Sequence, residues 1–311
     1  MMNIQAPGAI WEGWVVTEQL GRDHLGPVYR AMAMDGTQRS TVKHIALEAN
    51  TPDFDACRER LSEAIGTMMQ LSGTPGFVPV EDSRFDFRED GTGVDVFIRT
   101  PGLPGLTEYL SGMGQPDQPR VLAIGIDIAR AIDTLQQMDM VHRNLKPAAI
   151  FWDEGSHSFR LGNLWNVCSL KDEAVAVTGT PNFMPPEVYN RQAVTSRTMD
   201  LYALGTVLYR LMNGNRVPFL SYGMQPEQAL AIRMNGTPVP APSDADPRLA
   251  AVLQKCLAPS PADRYQTGAE LAKALNACYP ATGVNIDPQP PVKPEESVKP
   301  HGFRNFRTTR K

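Results

Sequence analysis

The sequence predicts an α+β fold, with strands gathered in the first hundred residues and helices dominating from there to about Tyr279. Two patterns carry that expectation. Before residue 100, short runs that are apolar, or alternate apolar with polar, lie between turn residues as half-buried strands do. Beyond residue 120, apolar residues recur at helical spacings over stretches too long for strands.

In chain order, residues 14–16, 28–31 and 41–45 read as strands, and 53–71 as the one helix among them. Residues 94–98 form a further strand, and the Pro- and Gly-rich run 101–105 breaks it as a hinge between two lobes would. From Arg120 to Met138 the apolar positions Leu122, Ile124, Ile128, Ala131, Ile132 and Leu135 mark a long, mostly buried helix. The tail changes character: Pro288, Pro290, Pro291, Pro294 and Pro300 fall within 13 residues and keep it extended. It ends in residues 301–311, which carry four Lys/Arg and no acid. The expected boundaries are 1–9 for an extension, 10–280 for the folded domain and 281–311 for a disordered, Pro-rich, basic tail. Within the domain, residues 10–100 make a small lobe and 106–280 a large one.

With 311 residues and 42% hydrophobic content, the chain can build two lobes with substantial cores. A net charge of -4 with 21% charged residues argues against a general nucleic-acid binder. Cys57, Cys168, Cys256 and Cys278 are far apart and form no C-x-x-C pair, which suits reduced thiols in a cytoplasmic protein. No stretch reaches the roughly 18 apolar residues of a membrane span. The N-terminus lacks the basic-then-apolar pattern of a signal peptide.

The most informative run is Val141-His142-Arg143-Asn144-Leu145-Lys146-Pro147-Ala148-Ala149-Ile150. It resembles the catalytic loop H-R-D-L-K-P-x-N-I of protein kinases. Other blocks follow in the family's order. Gly21 to Val28 resembles the Gly-rich loop G-x-G-x-x-G-x-V, with Asp23 in place of its middle Gly. Lys43 fits the strand lysine of V-A-I-K, and Glu63 fits the helix glutamate that pairs with it, with Glu59 as the alternative. Leu161-Gly162-Asn163-Leu164-Trp165 stands where the family reads L-A-D-F-G. Gly179 to Glu187 resembles G-T-P-x-Y-M-A-P-E, Asp200 to Gly205 resembles D-x-Y-S-L-G, and Arg264 fits the arginine that pairs with the A-P-E glutamate. By these motifs the chain resembles the bacterial, eukaryotic-like Ser/Thr kinases, and the α+β fold is expected to be their bilobal one.

The resemblance also says what is altered. The Asp that accepts the substrate hydroxyl's proton is Asn144, and an amide is no proton acceptor at neutral pH. The two metal-holding positions are Ala149 and Asn163, so none of the catalytic residues is intact, although Lys146 is kept. The resemblance implies a nucleotide pocket lined by Gly21, Gly26, Val28, Thr41, Lys43, Glu63, Ile98 and Phe151. Asp23 brings a negative charge to where phosphates would lie, and Thr41 adds a hydroxyl to the ceiling over adenine. No metal site is expected and no cofactor is required; any ATP binding is expected without magnesium. His142, Arg143, Leu164, Glu187, Asp200 and Arg264 read as structural residues, His142 as a packed core histidine. Thr178 and Thr180 are candidates for phosphorylation near Arg143, with Thr180 also fitting a structural role.

These residues predict a pseudokinase: a regulatory or scaffolding module for a protein partner such as an active kinase, a phosphatase or a cell-envelope complex. Two alternatives stay open. One is a weak phosphotransferase using Lys43 and Lys146, with Asp153, Glu154 or Asp23 as replacement metal ligands. The other is a nucleotide sensor without turnover. A cytoplasmic location is expected, with membrane proximity through the basic tail. Related kinase domains often dimerise through the small lobe, and a homodimer stays open for this chain.

Overall fold

The computed structural model describes residues 10, 11, 13–23, 25–171, 180–189 and 196–279; the extension 1–9, Thr178 and the tail 281–311 lie outside them. The first lobe is one antiparallel sheet of β1 (Ile10–Trp11), β2 (Trp14–Asp23), β3 (Gly26–Ala33), β4 (Arg39–Glu48), β5 (Asp82–Phe87) and β6 (Gly93–Pro101). The strands lie in the order β1-β2-β3-β4-β6-β5, and α1 (Phe54–Leu71) is inserted between β4 and β5. The strands exceed the runs read from sequence because pairing, not burial, sustains their ends. After Val16, β2 is mostly exposed, yet it stays paired with β3 to Asp23.

Sheet register decides which side chains share a face. Gly21 lies opposite Val28, Val28 opposite Lys43, and Lys43 opposite Ile98, so the four form one row across β2, β3, β4 and β6. The outer face carries Trp14, Val16, Tyr29, Val42 and Phe97, which form a small cluster of their own. The guanidinium of Arg99 lies over the Trp14 ring at 4.5 Å and that of Arg84 over Phe97 at 5.4 Å.

The helix α1 buries Leu61, Ala64, Ile65, Met68 and Leu71, a stripe at the i, i+3, i+4, i+7 spacing of an amphipathic helix. That stripe joins a core that continues through Phe77 and Leu164 into the large lobe. There α2 (Leu106–Leu110), α3 (Gln118–Gln137), α4 (Met199–Leu211), α5 (Pro226–Met234), α6 (Pro247–Cys256) and α7 (Gly268–Asn276) follow. Asp117 caps α3 by accepting the Arg120 N–H at 3.1 Å, and Pro119 lies in its first turn. The helix is close-packed on α7, where a Cβ on Gly268 would lie 2.1 Å from the Ala129 carbonyl oxygen.

Four short strands hold the loops between α3 and α4. β7 (Met140–Val141) pairs with β10 (Cys168–Ser169), and β8 (Ile150–Asp153) with β9 (Ser158–Leu161). They place residues 142–149 beside residues 162–167, which is where the candidate site forms. Among the described residues no helix is long and apolar enough to cross a membrane.

Candidate functional site

The loop after β7 is held from below by α4. Asp200 is buried in the first turn of α4, and its two carboxylate oxygens accept the N–H groups of His142 (2.7 Å) and Arg143 (2.9 Å). Arg143 takes a left-handed backbone (φ 66°), a strained state for a non-glycine residue that these bonds offset. His142 is fully buried, and its Nε2–H donates to the Gly162 carbonyl at 2.9 Å. Burial pushes the His142 imidazole below its ordinary pKa, so the ring is neutral. Burial also raises the Asp200 carboxyl, and the two N–H bonds it accepts oppose that shift.

The loop presents little that could move a proton or hold a cation. Asn144 is buried, and its Oδ1 accepts the Thr180 hydroxyl at 3.4 Å. Thr180 in turn accepts from the Lys146 ammonium at 3.2 Å. Ala149 is fully buried and offers a methyl. Asn163 also takes a left-handed backbone (φ 58°), a conformation Asn tolerates better than most residues. Its Nδ2 donates to the Ala148 carbonyl at 2.7 Å, so the amide ties residue 163 to the loop. The donor set does not suit magnesium, which needs oxygen ligands and is held best by carboxylates.

The replacement carboxylates considered from sequence are committed elsewhere. Asp153 accepts from Gly155 N–H (3.0 Å) and Ser156 Oγ–H (2.7 Å) and pairs with Arg160. Glu154 accepts the Trp152 indole N–H at 2.7 Å. Among the described residues no three His, Cys, Asp or Glu side chains cluster as a metal site would require.

The expected pairing of Lys43 with Glu63 is corrected. Both Glu63 and its alternative Glu59 are exposed on α1, because the helix turns Leu61, Ala64 and Ile65 inward instead. Lys43 is 1% exposed; its ammonium makes an ion pair with Asp23 and donates to the Gly26 carbonyl at 2.7 Å. The face of the buried Trp165 ring lies 5.2 Å away. Burial lowers the Lys43 pKa, and the hydrogen bond and charge of Asp23 oppose that shift. Gly26 is required there: its φ is +140°, and a Cβ would lie 2.3 Å from the His44 carbonyl oxygen.

The other pocket residues fall where the register row places them. Val28 and Thr41 are half-buried, Ile98 is buried, and Gly21 is exposed. Phe151 is half-buried on β8, and its ring blocks any side chain at Gly162. At the hinge, Leu103 N–H donates to the Pro101 carbonyl (2.9 Å), so these two groups satisfy each other. Leu164 is fully buried in the turn against α1, and Glu187 grips Arg264 through two bonds of 2.6 and 2.7 Å. Reading the sequence missed the part Asp23 takes, although an Asp just ahead of a turn glycine is a recognisable turn signal.

The family model described as "Protein kinase domain" matches residues 14–277. The chain belongs to the protein kinase family. Its relatives are bacterial Ser/Thr kinases by name, which places it among the eukaryotic-like Ser/Thr kinases. Serine/threonine-protein kinase PknK of Mycobacterium bovis is 26% identical over 299 residues, covering 89% of this chain and 25% of that protein. Serine/threonine-protein kinase Pkn1 of Myxococcus xanthus is 31% identical over 280 residues, covering 84% of this chain and 37% of that protein. For Serine/threonine-protein kinase PknB of Mycolicibacterium smegmatis the figures are 32% over 165 residues, with 50% and 26% covered. The chain thus spans about a quarter of the PknK length and little more than a third of Pkn1.

Proposed function

We propose that this kinase-family domain is a pseudokinase, which regulates or scaffolds a protein partner and does not transfer phosphate. One observation carries the reading: the Asn163 amide is engaged as a hydrogen-bond donor to Ala148, at the position where the family mechanism needs a carboxylate for magnesium. Asn144 and Ala149 support it, since neither supplies the base or the second metal ligand. The bonds of Asp200 and the Glu187–Arg264 pair fit a domain kept for its shape. A protein partner such as an active kinase or a phosphatase follows from that role, and any nucleotide binding is metal-independent and weak.

Titration calorimetry of the wild-type chain with ATP, in magnesium and again in EDTA, tests this reading. The expected result is no gain in affinity from magnesium. Strong, magnesium-dependent binding would mean that other groups rebuild the metal site, and the phosphotransferase suggested by the relatives' names would take its place.

A further inference from the structure

Where β2 turns into β3, one oxygen gathers two backbone N–H groups and an ammonium. Asp23 Oδ1 accepts the N–H of Leu25 at 2.9 Å and that of Gly26 at 3.2 Å, and the same oxygen takes the Lys43 ammonium. Backbone N–H groups of a Gly-containing turn together with a lysine ammonium are a recurrent way to bind a phosphate. Here the chain supplies the anion itself. The contact is well shielded: Lys43 is 1% exposed, Asp23 has only 18% of its side chain exposed, and the buried Trp165 ring lies 5.2 Å from the ammonium. A glycine at position 23 could make none of these bonds.

We propose that Asp23 is a built-in stand-in for a phosphate, an autoinhibitory contact that shuts the phosphate end of the cleft. A phosphate-bearing ligand reaches Lys43 only by displacing Asp23, which costs it an ion pair and two hydrogen bonds. Asp23 therefore does more than repel phosphates: it occupies their donors. The proposal deepens the pseudokinase reading and rests on its account of the cleft. It concerns occupancy alone, so it can fail while that reading stands.

The test is calorimetric titration with ATP in EDTA, scoring binding and no transfer. Asp23→Asn keeps an oxygen for the turn N–H groups and removes the charge that holds Lys43. Asp23→Gly removes the side chain altogether and serves if the first variant folds poorly. The wild type is expected to give no saturable heat. Either variant is expected to bind saturably, at least about tenfold more tightly than the detection limit that the blank wild type sets, as release of a charge-assisted contact implies. Adding Lys43→Gln to Asp23→Asn is expected to abolish the gain. Wild type and variants binding equally well would overturn the proposal, as would folded variants that stay as blank as the wild type.

Discussion

The Asn163 side chain donates its amide proton to the backbone carbonyl of Ala148, 2.7 Å away. A carboxylate at residue 163 could not make this bond, because it offers only acceptors. Where the family carries an Asp, this chain thus has an amide that fastens residue 163 to the loop preceding β8.

Asn163→Asp is accordingly expected to destabilise the domain, by about 1 kcal/mol for a partly exposed bond turned into an acceptor–acceptor contact. Asn163→Ala is expected to cost a similar amount, because it loses the bond and leaves a residue poorly suited to φ 58°. Urea denaturation of the wild type and both variants checks this. A more stable Asn163→Asp would contradict the role given to the amide.

The Glu187–Arg264 pair predicts a larger effect. Arg264 is 2% exposed, with its guanidinium also over the Tyr202 ring at 4.7 Å. Arg264→Ala strands a half-buried carboxylate and opens a hole, and is expected to cost about 3–5 kcal/mol. A denaturant midpoint within error of the wild type would show that the pair adds nothing.

His142 sets a pH dependence. Burial holds its folded-state pKa below the ordinary value, so the unfolded chain binds a proton that the folded chain refuses. Its contribution is fully present above about pH 6.5, the ordinary histidine pKa, and is lost as pH falls through the lower folded value. Stability is therefore expected to decline from about pH 6.5 downward, and less steeply in His142→Phe. Equal slopes for the two proteins, followed by urea denaturation across that range, would contradict the assignment.

The fold was legible because kinase motifs carry their identity in order and spacing, and the register of β3, β4 and β6 then aligned Val28, Lys43 and Ile98. The contacts of Asp200 and Arg264 could be anticipated for the same reason, as both sit inside motifs. The partner of Lys43 could not. Counting residues along α1 selects Glu63, but the packing of Leu61, Ala64 and Ile65 turns that side chain outward. Asp23 wins because it lies in the turn between strands already paired with β4 or beside it, a proximity set by the sheet and absent from any motif. β5 was missed for a simpler reason: Asp82–Phe87 is rich in charge, and only pairing with β6 makes it a strand.

The proposed function is one in which the chain transfers no phosphate by the family mechanism. It is tested most directly by supplying ATP labelled at the γ-phosphate, with magnesium and separately with manganese. Label entering the chain itself and casein is then measured for the wild type and for Asn144→Asp/Ala149→Asn/Asn163→Asp. No label above the protein-free blank is expected for the wild type. Label above the blank with the wild type, whether below, at or above the rate of the triple variant, would contradict the pseudokinase reading.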